Sequence, residues 1–224
     1  MRHGYLLSTL FLVAATAHAG VIINGTRLVY QGDKKESSLG LSNPDSTDYL
    51  VQSWVDSGSK NPGNTPFLIT PPLFRLIAKE DIVLRVIRTG GNLPEDRESL
   101  YWLNIKAIPS SKHVEGVNTL QIAINTRIKL LYRPSSVKGK PEEVADKLEW
   151  YREGHDLVVN NPTPFYMNFQ SVMINGHKIS KATWAVPETA THMALPANTD
   201  GNTVTYSIIT DYGSISRTWS KPVH

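Results

Sequence analysis

A two-residue hydrophobic period, broken at short intervals by Gly, Pro, Asn and Asp, runs through most of this chain. Ser37, Leu39 and Leu41 alternate with their neighbours ahead of Asn43-Pro44-Asp45. Tyr49, Val51, Ser53 and Val55 share a second face before Ser57-Gly58-Ser59. Residues 67–70 run into Pro71-Pro72, and Ile82, Leu84 and Val86 alternate with Val83, Arg85 and Ile87. Gly90-Gly91-Asn92 breaks the pattern and residues 100–108 resume it. Side chains two apart lie on one face of a strand, so each run describes a strand with a buried and an open side. Many short strands with little helical patterning predict an all-β fold of the sandwich type. Only residues 142–150 are expected to form a helical turn or two.

The sandwich is expected to come twice. Residues 133–141, RPSSVKGKP, are rich in Pro, Ser, Gly and Lys and carry no buried-face pattern, which marks a boundary. A first unit at 20–136 has the size of a seven-stranded sandwich. A second unit at 137–224 has expected strands at 157–160, 166–174, 203–210 and 214–219. Asn175-Gly176 and Asp200-Gly201 have the chemistry of tight hairpin turns, and Asn24-Gly25 between two apolar runs has it too.

Residues 1–19 are set apart from the fold. Arg2, an apolar stretch at 6–17 and the small-residue pattern Ala17-His18-Ala19 predict a cleaved secretory signal. No later stretch reaches the ~18 apolar residues of a membrane-spanning helix. The mature chain is therefore expected to be soluble and exported. The 224 residues contain no cysteine, so in an oxidising compartment the cores must hold the fold without disulfides. That also removes thiol nucleophiles and thiolate metal sites.

Arg2 is the one charged residue in the signal, so the net charge of +3 falls to +2 on its removal. Acids and bases are interspersed, unlike the concentrated basic face of a nucleic-acid protein. There is no phosphate-cradling glycine loop, no HExxH and no GxSxG. The seven histidines show no metal-ligand spacing. Glu80-Asp81, Glu95-Asp96 and Glu142-Glu143 have the character of solvated loops. Trp54 and Trp102 fall within strand patterns, which favours core packing over sugar stacking. Neither an enzyme nor a cofactor, metal or nucleotide site is expected.

Residues 118–134, NTLQIAINTRIKLLYRP, carry the functional signal. Leu120, Ile122 and Ile124 form one aliphatic face, and Arg127 and Lys129 follow. Such a strand suits peptide recognition, in which main-chain groups pair and alternate side chains fill pockets. Arg27 and Lys129 each sit inside an apolar strand; their heads either reach water from a sandwich edge or meet an anion. At ~3.3 Å per residue Lys129 lies about 30 Å along the strand from Leu120. The stripe has even parity and Lys129 odd parity, so twist or a bulge at 125–128 is expected to reconcile them.

TRLVY (26–30), TPPLFRL (70–76), RESLYWLNIKAIP (97–109), NTLQIAINTRIKLLYRP (118–134), NPTPFYMNF (161–169) and ITDYG (209–213) together resemble the signature runs of the periplasmic pilus chaperones of the chaperone–usher pathway. The resemblance spans essentially the whole mature chain. It implies two immunoglobulin-like β-sandwich domains set in an L around a cleft, with 21–30 as one interrupted edge strand rather than a hairpin. It also implies a periplasmic, non-enzymatic protein that uses no nucleotide. Such a protein lends a strand to pilin subunits lacking their own last strand, then hands them to an outer-membrane usher. On this resemblance Arg27 and Lys129 would grip the subunit's C-terminal carboxylate, and Leu120, Ile122 and Ile124 would enter its groove. Glu98, Arg133 and Asp211 would form an inter-domain ion network. The short segment 110–117 resembles the branch that assembles rod-like pili. The exposed stripe also suggests self-association of the unloaded protein. The competing expectation is a secreted structural or adhesive immunoglobulin-like protein.

Overall fold

The computed structural model describes residues 20–58, 65–111, 120–180, 182–196 and 199–224. The expected signal at 1–19, most of the short segment at 110–117, and Asn118 and Thr119 lie outside them. The first half holds β1 (Ile22–Ile23), β2 (Arg27–Gln31), β3 (Glu36–Ser42), β4 (Tyr49–Asp56), β5 (Phe67–Thr70), β6 (Leu73–Leu76), β7 (Asp81–Arg88), β8 (Ser99–Pro109) and β9 (Ile124–Arg133). These form two sheets, β1-β3-β7-β5 and β2-β9-β8-β4-β6. The period-two pattern places the core between them: Leu84 and Val86 are buried while Val83 and Arg85 are exposed. Leu41, Val51, Leu76, Leu103 and Leu130 complete its fully buried centre.

Asn24-Gly25 does not make a hairpin. β1 pairs antiparallel with β3 in one sheet, whereas β2 pairs parallel with β9 in the other. The chain therefore changes sheets at residues 24–26, which is the interruption of an edge strand that the resemblance implied.

The second half begins with α1 (Pro141–Val144) and a 3-10 turn at Ala145–Lys147. β10 (Glu149–Glu153), β11 (Asp156–Asn161), β12 (Met167–Ile174), β13 (His177–Lys178), β14 (Trp184–Ala185), β15 (Thr189–Ala194), β16 (Thr203–Ile208) and β17 (Trp219–Pro222) follow. β10-β11-β15 form one sheet and β13-β12-β16-β17 another, with β14 also on β12. Trp150, Phe165, Met167, Val172 and Tyr206 fill a second core, which Val137 of the connecting segment also enters.

Three local expectations fare differently here. Asn175 and Gly176 have φ of 47° and 84° and join β12 to β13 as a hairpin, because both positions need left-handed backbone. Asp200-Gly201 makes no hairpin, since the strands before and after it, β15 and β16, belong to different sheets. The strand expected at 214–219 begins only at Trp219. Before it, Ser216 Oγ accepts a hydrogen bond from Ile208 N at 3.0 Å, and Ile209 and Ile215 form only an isolated bridge.

Candidate functional site

β9 pairs with β8 in unbroken register, from Ala107 opposite Ile124 to Ser99 opposite Tyr132. No bulge interrupts it, which resolves the parity question differently from the expectation. Ile128, Leu130 and Tyr132 turn into the first core, and the odd residues turn to the other face. The even-numbered stripe continues the core face and the cations occupy the opposite face, so nothing needs reconciling. The strand is also shorter than expected. It starts at Ile124, where the ladder to β8 ends at the Ala107–Ile124 pair; β8 itself runs on to Pro109, and Gln121 Nε2 donates to the Pro109 carbonyl. Leu120 and Ile122 precede the strand and are 84% and 64% exposed; Ile124 opens it at 50%. Ile122 and Ile124 line a cavity of about 310 Å³ with Val21, Ile23, Tyr49 and Ile105.

The two edges of β9 differ along its length. β2 covers it only from Lys129 to Arg133. Among the described residues no strand pairs with the corresponding edge of residues 124–128, which leaves an open row of main-chain donors and acceptors.

At the point where that open edge ends, the parallel pairing sets Arg27 directly beside Lys129. Arg27 Nη1 donates to the Ile209 carbonyl at 3.2 Å, and its Nε is buried without a hydrogen-bond partner. Lys129 Nζ donates to Asn168 Oδ1 and lies 4.5 Å from the centroid of the Trp184 ring. Both heads are therefore turned toward the second half of the chain, not snorkelled from a sandwich edge. Burial lowers the pKa of Arg27, offset in part by the fields of Asp211 and Glu98. Burial, with the adjacent Arg27, brings the Lys129 ammonium down to about 8. Neither cation forms an ion pair with a described residue. Two half-buried cations side by side, each carrying unspent donors, offer the charge and hydrogen bonds that a small anion would need.

Four residues further on, the third cation of β9 is fully compensated. Arg133 donates from Nε to Glu98 Oε1 at 2.8 Å, and from Nη1 and Nη2 to the two oxygens of Asp211 at 2.7 and 2.8 Å. Tyr166 N donates to the other Glu98 oxygen at 2.8 Å, and the guanidinium stacks 4.9 Å from the Phe165 ring. Burial pushes the Glu98 carboxyl up to about 7 against the pull of Arg133. Burial also opposes the charge on Arg133, yet its bonds to Asp211 and Glu98 hold its pKa above the ordinary value. Glu98 and Arg133 come from the first sandwich, while Asp211, Tyr166 and Phe165 come from the second. Thus the expected trio meets, and it meets between the two cores. Glu98 N→Pro164 O at 2.9 Å and the exposed Arg97–Glu188 pair at 2.6 Å cross the same junction.

The sequence reading missed the aromatic and polar wall of this region. Trp102 and Trp54 are half-buried and belong to neither core, contrary to the packing role expected of them. Trp102 stands opposite Lys129 in the β8–β9 register and meets Trp184 edge to face at 6.0 Å. Arg127 stacks over it at 4.4 Å and is held by Asp56 at 2.6 Å. The period itself carried the signal for Trp102, because Leu103, Ile105 and Ala107 own the core face of that strand. Asn168, Trp184 and Ile209 arrive from the second half, with no local pattern to announce them.

Comparison with known proteins agrees with this architecture. The family model "Pili and flagellar-assembly chaperone, PapD N-terminal domain" matches residues 20–138, and "Pili assembly chaperone PapD, C-terminal domain" matches residues 143–220. The chain is 42% identical over 223 residues to the probable fimbrial chaperone LpfB of Escherichia coli O157:H7, covering 97% of this chain and 95% of that one. Its fold matches a solved Salmonella enterica structure of the SafA pilin in complex with the SafB chaperone, with a TM-score of 0.84 at 38% identity, over 93% of this chain and 98% of the other. The E. coli chaperone DraB is similar with a TM-score of 0.81 at 38% identity, over 91% and 96%. With both domain models matched in order, and with relatives of this identity along nearly its whole length, the chain belongs to the PapD family of pilus-assembly chaperones.

Proposed function

We propose that this chaperone captures pilin subunits by strand addition along the open edge of β9, and that Arg27 and Lys129 bind the subunit's C-terminal carboxylate. The observation that carries the reading is the ending of an open strand edge at two adjacent, half-buried cations, neither in ion-pair contact with an acid among the described residues. A chain end arriving there travels from the Ile122 end toward Lys129, hence parallel to β9. It would lie end to end with β2, which takes the same edge in the same direction. Leu120, Ile122 and Ile124 would enter the subunit's groove, each contributing roughly 1.5–3 kcal/mol on full burial before ordering costs. Each charged hydrogen bond to the carboxylate offers about 1.5–3 kcal/mol. The clamp would also set register, since a slip of one residue turns every inserted side chain away. The Glu98–Arg133–Asp211 network would hold the two domains, at 20–136 and 137–224, in the orientation that presents clamp and edge together.

The relative solved with a pilin supports subunit capture by a chaperone of this build. The same reading makes residues 1–19 a cleaved signal, places the mature protein in the periplasm without catalytic activity, and makes an outer-membrane usher the recipient of its cargo. It is tested by co-expressing the protein with candidate pilins, with and without their C-terminal residues, and recovering complexes from periplasm. Capture that requires the pilin C-terminus is expected. A folded chaperone that captures no pilin, or captures truncated ones equally well, overturns the proposal.

A further inference from the structure

We infer that Trp102 and Trp184 form a bracket for the last side chain of the bound subunit, and that this bracket selects an aromatic residue there. The inference rests on the carboxylate clamp proposed above and adds a preference the clamp alone does not give.

Position comes first. Trp102 is the direct cross-strand neighbour of Lys129, and Trp184 covers the Lys129 ammonium at 4.5 Å. A carboxylate held by that ammonium places the terminal Cα within a side chain's reach of both indoles. The two rings meet at 64° and both stay partly open to solvent, so they present two walls rather than a closed stack.

The walls are also fixed in advance. Arg127 lies over Trp102, and Asp56 holds Arg127 while accepting further hydrogen bonds from Asn104 Nδ2 and Gly58 N, each at 2.7 Å. Gly58, at φ +77°, runs so close that a Cβ there would stand 2.7 Å from the indole nitrogen of Trp102. On the second domain, Trp184 is the register partner of Asn168, which itself receives Lys129. A surface already ordered loses little freedom when a ligand arrives.

Chemistry then decides the occupant. Indole walls reward an aromatic ring through edge and offset contacts beyond its area. A basic side chain would face Arg27, Lys129 and Arg127 together. An acidic one would find Arg127 already paired with Asp56. Because one wall belongs to each domain, the preference exists only while the domains keep their relative orientation.

The test uses the mature chain and a set of peptides sharing one strand sequence but ending in Tyr, Leu, Ala or Lys, with binding followed by calorimetry. The Tyr-ended peptide is expected to bind about threefold to tenfold more tightly than the Leu-ended one, and the Lys-ended peptide most weakly. In Trp102→Leu and Trp184→Leu the Tyr/Leu ratio should fall toward one. That ratio is the readout because Trp184→Leu also removes support from Lys129 and lowers every affinity. Equal binding of Tyr- and Leu-ended peptides to the unaltered protein overturns the bracket, whether or not the variants fold. A Tyr-ended peptide amidated at its C-terminus separates the two levels. Should it bind as well as the free acid, the clamp itself fails and the bracket with it; should it bind poorly while the ratio stays at one, the bracket alone fails.

Discussion

The two halves of β9 belong to one strand in one unbroken register, yet they are built for opposite ends. From Lys129 to Arg133 the strand is paired on both edges, its even residues are in the core and its last cation meets two carboxylates. At residues 124–128 one edge stands open, and the aliphatic side chains at and before its start are half or more exposed. The paired half spends its interactions inside the molecule. The open half keeps main-chain groups, aliphatic side chains and, at the junction, two cations unspent. Burial of a charge is therefore a poor guide to its purpose on this strand; whether an acid already answers it separates Arg133 from Lys129.

The largest expected effect breaks the paired half. Arg133→Ala leaves Glu98, 3% exposed, without its cation. Removing one partner of a buried pair costs about 3–5 kcal/mol, so the urea midpoint should drop sharply. Lys129→Ala should leave that midpoint unchanged or raise it, because it removes a desolvated charge that pairs with no acid among the described residues. If the two variants unfold alike, the contrast between the halves collapses.

The next effect strikes the open half alone. Ile122→Asp should abolish pilin capture, since it forfeits the roughly 1.5–3 kcal/mol of a buried aliphatic and asks a subunit groove to desolvate a carboxylate. Its urea midpoint should barely move, because Ile122 is 64% exposed in the free protein. Ile124→Val, losing one methylene, should hardly change capture. Equal losses from the two substitutions would contradict groove insertion. Then comes the junction. Lys129→Ala and Arg27→Ala should each weaken capture by about tenfold to a hundredfold, the worth of one charged hydrogen bond, in a folded protein. Full capture by both variants would remove the clamp.

How much of this was legible in the sequence follows the same division. Period two showed the strands of the first sandwich, because each is half-buried and its pattern is local. It even held the answer to the parity question: stripe and cations on opposite faces is what an even and an odd series mean in a regular strand. Twist or a bulge was expected to reconcile the two parities, but a regular strand that shows them on opposite faces needs neither. The start of β9 was expected too early because alternation at Leu120 and Ile122 looks the same whether or not a ladder is formed, and the pairing with β8 stops at Ile124. The resemblance singled out Arg27, Lys129, Glu98, Arg133 and Asp211 in advance, and the fold brings the last three into contact. Asn168 and Ile209 fall within runs that carried the resemblance, yet neither they nor Trp184 could be given a role, because domain packing, not local pattern, delivers them to the site. The false strand at 214–219 fails for a related reason: a serine side chain takes the hydrogen bond that a ladder would have used.

The smallest effect sharpens the junction by titration. Burial and the neighbouring Arg27 bring Lys129 to about 8, against an ordinary value of 10.5. Between those two values the folded protein has released a proton that the unfolded chain still holds. Stability therefore gains from this group as pH rises across that window. Capture should move the other way, because a neutral amine no longer offers a charged donor to the carboxylate. One unit above the Lys129 value the apparent affinity should be about tenfold lower, with roughly one proton taken up per complex formed. Lys129→Arg supplies the control, since a guanidinium stays charged throughout and its capture should be flat with pH. A wild-type profile as flat as that of the arginine variant would mean that the ammonium does not touch the bound carboxylate, leaving Arg27 as the clamp.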